Sequence, residues 1–185
     1  MRRQLGFMVA AVAALCAAPV WAQSFNYDYV DLGYRTGEVF EDIDVSGFGA
    51  EASRVLAPNL RLKLGADWLD ADDVDADGYR IALQGGFFTA LAPNVDVVLD
   101  AGLLYMDIDD VDDDTGVKLD GIVRFRVDPR FEVNAGLSYV DIFDDSDTGL
   151  HLAGIYSLNR STALLVRFDD NDAIELWTFG VRLSY

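Results

Sequence analysis

The chain has 185 residues, with 32 acidic against 14 basic side chains and a formal net charge of −18 at pH 7. A charge this negative repels the phosphate backbone, which excludes nucleic acid as a partner. The length is enough for one domain, and the single cysteine, Cys16, excludes a disulfide framework.

Residues 1–22 have the pattern of a secretory signal peptide. Two arginines near the start precede a largely apolar run from Leu5 to Val20, and small residues lead up to Ala22. We expect cleavage after Ala22, which leaves residues 23–185 as the folded domain. No later apolar run approaches the length of a membrane helix. If the domain spans a membrane, it must therefore do so as a β-barrel.

Short turn signals alternate with longer acidic segments along the rest of the chain. Proline presets a tight turn and cannot continue a central strand, and three of the four turn signals contain it. The turns are 57–59, 92–94, 128–130 and 159–161, and the acidic segments are at about 36–44, 69–77, 107–116, 141–148 and 169–175. This alternation predicts five hairpins, and hence ten antiparallel strands, with eight strands as the alternative.

The segments between turns alternate between an apolar face and a face of charged or small residues, as half-buried strands do. In 60–68, for example, Leu62 and Leu64 share one face, and Arg61 and Lys63 share the other. We see no helical periodicity after residue 22. The predicted strands are 25–35, 45–56, 60–68, 79–89, 95–106, 117–127, 131–140, 150–158, 162–168 and 174–185.

A soluble β-sandwich also has alternating strands, but three features favour a membrane barrel. The first is that large residues occupy the apolar face of almost every strand while the opposite face carries charge and glycine. The second is that strands of about ten to twelve residues suit a tilted membrane crossing. Aromatic residues on the apolar face also gather near both strand ends, which predicts two interface girdles. They are Tyr34, Trp68, Tyr79, Tyr105, Tyr139, Phe168 and Trp177 near the acidic segments, and Phe87, Phe125, Phe131, Tyr156 and Tyr185 near the turns. The predicted fold is all-β, a transmembrane antiparallel up-and-down β-barrel.

The signal peptide, the opening Tyr27-x-Tyr29, the Leu-Ala-Pro-Asn turns and the terminal Phe179–Tyr185 segment carry a family resemblance. They resemble the small outer-membrane β-barrel proteins of Gram-negative bacteria, broadly the opacity-protein and OmpA/OmpX-like group. The resemblance implies a location in the outer membrane, and recognition of the carboxy-terminal strand by the barrel-assembly machinery. Many members of that group have eight strands, whereas the turns predict ten here.

Charge is distributed unevenly over the predicted barrel. Most acidic residues lie in the five acidic segments, which contain no lysine or arginine. Buried charges need partners, so we expect ion pairs that cross the lumen and plug it, with a narrow porin-like channel for ions or small solutes as the alternative. The inward-facing residues are predicted to be Arg35, Arg61, Lys63, Arg80, Lys118, Arg124, Arg126, Arg167 and Arg182, with Asp31, Glu51, Asp67, Asp96, Asp100, Asp120 and Glu132.

Two acidic segments place carboxylates at the alternate positions that calcium needs. The first matches half of an EF-hand loop, but Gln84 stands at the twelfth position and strands flank the segment. We expect no required cofactor, and weak collection of Ca²⁺ or Mg²⁺ that could bridge the loops to lipopolysaccharide. The candidate ligands are Asp73, Asp75, Asp77, Asp109, Asp110 and Asp112.

The sequence predicts no enzyme. His151 is the only histidine and is expected in the lumen near its outer end. A lipid-deacylating barrel would carry serine two residues later, where Ala153 stands, and a lone rim histidine is more often part of a polar network. The predicted role is structural or surface-interactive, in envelope integrity or adhesion. The expected partners of a monomeric barrel are outer-membrane lipid, lipopolysaccharide and the assembly machinery.

Overall fold

The computed structural model describes residues 25–39, 43–71, 77–108, 112–143, 145–171 and 174–185. In this part of the chain, neighbouring strands pair antiparallel, and β1 pairs with both β2 and β10, which closes a ten-stranded barrel. The strands are β1 (Tyr29–Val39), β2 (Ile43–Ala57), β3 (Leu60–Ala71), β4 (Asp77–Ala92), β5 (Val95–Ile108), β6 (Asp112–Asp128), β7 (Phe131–Ile142), β8 (Asp145–Ser157), β9 (Thr162–Asn171) and β10 (Ile174–Ser184). The ten-strand prediction is confirmed, and the eight-strand alternative is wrong.

The alternation of residue types decides which side chains enter the lumen. In β3, Leu62 and Leu64 are exposed on the outer surface, whereas Arg61 and Lys63 are buried inside. The same pattern in the other strands produces an apolar outer band suited to lipid. Within the described residues, no helix has the length and apolar character needed to cross a membrane.

Tight turns join the strands at one end of the barrel, as predicted. Asn59 adopts a φ of 66°, a left-handed conformation that asparagine tolerates, and its side-chain amide donates to the Phe88 carbonyl oxygen at 2.8 Å. In the third turn, Asp128 Oδ1 accepts hydrogen bonds from the backbone amides of Arg130 and Phe131, at 2.7 and 3.0 Å. We call this the short-turn end of the barrel and the opposite one the long-loop end.

Strands extend into the segments that the sequence predicts as acidic loops. β5 continues to Ile108 and β6 already begins at Asp112, although 107–116 is predicted as a loop. The backbone N–H and C=O groups of two antiparallel strands are satisfied by each other. The strand pair can therefore continue beyond the membrane, where carboxylates on both faces of the pair reach water. The loop predicted from the acidic residues is therefore longer than the connection between β5 and β6.

The first predicted strand is displaced. It is predicted at 25–35, but β1 runs from Tyr29 to Val39, and residues 25–28 precede it without strand structure. Phe25 and Tyr27 are buried and pack inside the barrel against Phe88 and Val98. The start of the described chain is therefore part of the lumen and not of the barrel wall.

The aromatic side chains assigned to the girdles lie on the outer face. Trp68, Trp177 and Tyr185 are exposed, and Phe48, which the sequence reading did not single out, is 72% exposed. Cross-strand ring contacts join neighbours near the long-loop end, such as Phe168 and Trp177 at 4.7 Å between ring centroids. The amphipathic rings of tryptophan and tyrosine are suited to the boundary between hydrocarbon and headgroups.

Candidate functional site: the charged lumen

The middle of the lumen is filled by ion pairs around Asp100. The side chain of Asp100 has no exposed surface, and its carboxylate lies 2.5 Å from Arg61 Nη2 and 3.1 Å from Lys63 Nζ. Lys63 Nζ also lies 3.0 Å from Asp120 Oδ2, to which the Gln84 amide donates at 2.8 Å. These contacts link four consecutive strands, β3 to β6, on the inner face of the barrel.

A second group of ion pairs lies toward the short-turn end. Arg182 donates to Asp31 through Nε and Nη2, both at 2.7 Å, and its guanidinium carbon lies 3.8 Å from the centroid of the Tyr29 ring. Arg167 contacts Asp31 at 3.2 Å and Glu51 at 3.3 Å. A two-point contact of this kind fixes both position and orientation of a guanidinium.

A third group lies toward the long-loop end. Asp67 lies between Arg35 and Arg80, at 2.7 and 2.6 Å. His151 Nδ1 lies 2.7 Å from Asp169 Oδ1 inside the same half of the barrel. The predicted inward position of His151 is therefore confirmed, and the histidine has a carboxylate partner there.

Glycine on the inner face makes room for these groups. A Cβ atom on Gly86 would collide with Asp100 Oδ1 and lie 2.9 Å from Arg61 Cγ. A Cβ atom on Gly49 would collide with the guanidinium of Arg35 and lie 2.6 Å from Asp67 Oδ1. The glycines on the polar face of the strands thus leave the volume that long charged side chains occupy.

An aromatic plug, formed by Phe25, Tyr27 and Phe88, occupies the lumen toward the short-turn end. The rings of Tyr27 and Phe88 stack at 3.9 Å between centroids, and each residue is 1% exposed. The Tyr27 hydroxyl donates to Asp96 Oδ2 at 2.8 Å. The Arg124 guanidinium carbon lies 4.4 Å from the Tyr27 ring centroid and 4.8 Å from that of Phe25, so cation–π contacts fasten the plug to β6.

Two cavities approach each other near this plug. One, of about 100 Å³, is lined by the charged groups in the middle of the lumen and toward the long-loop end. The other, of about 470 Å³, lies at the short-turn end. Arg124 and Arg182 line both cavities. Arg124 also donates to Glu132 Oε1 at 2.8 Å. The two arginines therefore stand at the boundary between the cavities.

The predicted set of inward-facing charges is confirmed. Each of the seven acids contacts a lumen side chain, and eight of the nine basic residues form ion pairs with carboxylates. The ninth, Arg126, lies over the Phe25 ring at 4.6 Å. The plug is not predicted from the sequence, because residues 25–28 have the alternation of the predicted strand 25–35. The aromatic pair in Tyr27-x-Tyr29 was the available signal.

The predicted calcium ligands lie at the edges of the described residues or outside them. Asp73, Asp75, Asp109 and Asp110 lie outside the described residues, while Asp77 and Asp112 begin β4 and β6. Within the described part of the chain, no group of three or more carboxylate, histidine or cysteine side chains is arranged to hold a metal ion. Calcium binding by these segments stays a prediction.

Comparisons with known proteins agree with this architecture. The sequence model of a family described as "Outer membrane protein beta-barrel domain" matches residues 7–185. The KdgM porin in complex with disordered oligogalacturonate is similar in structure, with a TM-score of 0.50 and 12% identity over 85% of this chain and 99% of that chain. The β domain of the Bordetella autotransporter BrkA has a TM-score of 0.54 and 11% identity over 86% and 99%. No curated protein sequence matches the chain. At these identities the two structures show a shared fold alone.

Proposed function

Because this chain belongs to the outer membrane protein β-barrel domain family, and so lies in the outer membrane of a Gram-negative bacterium, we propose that it is a monomeric, closed barrel with a structural or surface-interaction role. Charged side chains and the aromatic plug close its lumen. The short-turn end faces the periplasm, and the acidic loops face outward. The role is in envelope integrity or adhesion.

The observation that carries the proposal is the set of ion pairs that join non-adjacent strands through the lumen. Lys63 of β3 reaches Asp120 of β6, and Arg167 of β9 reaches Glu51 of β2. Taking one partner from a buried ion pair costs about 3–5 kcal/mol, because a charge is left uncompensated. A path for hydrated ions would have to separate several such pairs, so the closed state is strongly favoured.

The proposed partners bind the acidic loops and the carboxy-terminal strand. The acidic segments collect Ca²⁺ or Mg²⁺ weakly, and such ions bridge carboxylates to the anionic groups of lipopolysaccharide. The terminal strand, which ends in Tyr185, is recognised by the barrel-assembly machinery. His151 is held by Asp169 at 2.7 Å, a polar-network role for which we propose no catalysis.

A narrow channel is the second candidate, and one observation favours it. The two lumen cavities meet at Arg124 and Arg182, so moving these two side chains would join them. Buried polar atoms such as Arg35 Nε and Asn134 Oδ1 also have no protein partner among the described residues, as in a lumen that holds water. One structure with this fold, KdgM, is a porin.

Planar-bilayer conductance of the purified barrel distinguishes the two candidates. We expect no steady single-channel steps from the wild type. A double variant, Phe25→Ala with Tyr27→Ala, removes the plug and should give small or intermittent steps. Tyr156→Ala is the matched control, since it truncates an exposed aromatic on the outer face and should stay silent. Steady steps from the wild type would overturn the closed-lumen proposal in favour of the channel.

A further inference from the structure

The cavity of about 470 Å³ at the short-turn end is strongly basic. Its charged lining consists of five arginines and one glutamate, Glu132, in a protein whose net charge is −18. The volume is far above the roughly 10–15 Å³ that one water molecule requires. The arginines are Arg124, Arg126, Arg130, Arg160 and Arg182.

Only part of this positive charge is neutralised by the protein. Arg124 is paired with Glu132 at 2.8 Å and Arg182 with Asp31 at 2.7 Å. Among the described residues, no ion pair joins Arg126, Arg130 or Arg160 to a carboxylate. The cavity therefore presents guanidinium groups whose charge is available to a ligand.

The surroundings hold the inner guanidinium groups in place. Phe25 lies under two of them, with centroid distances of 4.8 Å to Arg124 and 4.6 Å to Arg126. Ile155 and Ala163 add a buried apolar wall, which lowers the local dielectric and strengthens electrostatic attraction. Planar guanidinium groups with several donors match the oxygens of phosphate in two-point contacts.

We propose that this basic vestibule is a binding site for a phosphate-bearing anion at the periplasmic end of the barrel. Two sources offer this chemistry, namely a soluble phosphate compound in the periplasm and the headgroup of an anionic phospholipid. Binding here does not require the lumen to conduct, so the site can exist in a closed barrel.

Calorimetry with inorganic pyrophosphate tests the site on the purified barrel in an uncharged detergent at low salt. The informative variant is Arg126→Gln with Arg160→Gln, because neither arginine belongs to a described ion pair. Arg54→Gln is the matched control, since Arg54 is exposed on β2 near the same end and does not line the cavity. Arg126→Gln removes the cation–π contact with Phe25, which contributes about 0.5–1 kcal/mol. Urea unfolding should therefore show the double variant destabilised by no more than about this amount and Arg54→Gln unchanged.

We expect saturable binding that the double variant weakens about tenfold or more, because two charge-assisted contacts are lost, while the control changes it by less than about twofold. Repeating the titration in nanodiscs of phosphatidylcholine, with and without phosphatidylglycerol, identifies the source. If phosphatidylglycerol competes with pyrophosphate, the ligand is a lipid headgroup. If phosphatidylglycerol does not compete, the ligand is a soluble anion. No saturable heat from the wild type, or equal weakening by Arg54→Gln, would overturn the proposal.

Discussion

Replacing Asp100 by asparagine tests whether the lumen ion pairs stabilise the barrel. The carboxylate of Asp100 accepts hydrogen bonds from Arg61 Nε and Nη2, at 3.0 and 2.5 Å, and lies 3.1 Å from Lys63 Nζ. Asn has nearly the same shape, so the variant removes a charge without leaving a cavity. It also turns one acceptor into an amide donor that faces the donors of Arg61.

The expected loss of unfolding free energy depends on the partners that Arg61 and Lys63 keep in the variant. Lys63 keeps Asp120 at 3.0 Å, whereas Arg61 loses the carboxylate that it contacts twice. Uncompensated buried charges cost about 3–5 kcal/mol, and because Lys63 is still paired we expect about 3 kcal/mol for Asp100→Asn. In the double variant with Arg61→Met, the second charge is absent, so the two effects should not add.

Urea unfolding of the barrel refolded into lipid vesicles measures these changes, with the fluorescence of Trp68 and Trp177 as the signal. Asp141→Asn is the control, because Asp141 is exposed and, among the described residues, its side chain accepts a single 3.3 Å hydrogen bond, from Tyr139. It should change the unfolding free energy by less than about 0.5 kcal/mol. If Asp100→Asn cost no more than this control, the lumen pairs would not stabilise the barrel.

Three further predictions concern the inner wall, the terminal strand and the acidic loops. Gly86→Ala should destabilise the barrel by about 1–3 kcal/mol through overpacking, whereas Gly65→Ala, where an added Cβ has no neighbour within 4 Å, should be tolerated in the same urea assay. Deleting Tyr185 should lower the amount of protein in the outer membrane, as measured by immunoblot, and normal levels would contradict a role in assembly. Changing the aspartates of residues 73–77 to Asn should remove or weaken any Ca²⁺ heat in calorimetry, and an unchanged signal would exclude that segment as the site.

The sequence is sufficient to predict which charges face inward. Alternation with period two places Arg61 and Lys63 on the same face, and a one-residue shift would put both into lipid. The sequence also predicts the turns, because proline and asparagine adopt the backbone angles that a tight turn requires. These are local properties, so they can be inferred without knowing how the barrel closes.

The pairing of the charges depends on geometry that no local pattern contains. Asp31 lies directly opposite Arg182 in the β1–β10 register, so that pair follows once the barrel is closed. Arg61 and Asp100, however, are separated by β4 and meet over Gly86. Such a contact depends on a glycine gap and on the curvature of the wall.

The plug could not be predicted for a different reason. Phe88 and Val98 point inward from stretches in which the neighbouring residues, Phe87 and Val97, are also apolar, so alternation does not distinguish the two faces. Phe25 and Tyr27 precede β1, and because they alternate with Tyr29 the segment has the pattern of a strand and not of a segment folded into the lumen. Alternation of residue type therefore identifies the charged residues of the lumen but not the apolar ones.

Cysteine accessibility tests the closed lumen most directly. The only cysteine, Cys16, lies in the predicted signal peptide, so single replacements can be labelled without background. Ser53→Cys places a thiol at a lumen position that is 1% exposed, and Ser161→Cys places the same group in an exposed turn at the same end. With a membrane-impermeant maleimide supplied from either side of the membrane, a closed barrel predicts rapid labelling at position 161 from the periplasmic side and far slower labelling at position 53 from both sides. Comparable rates at the two positions would contradict the account.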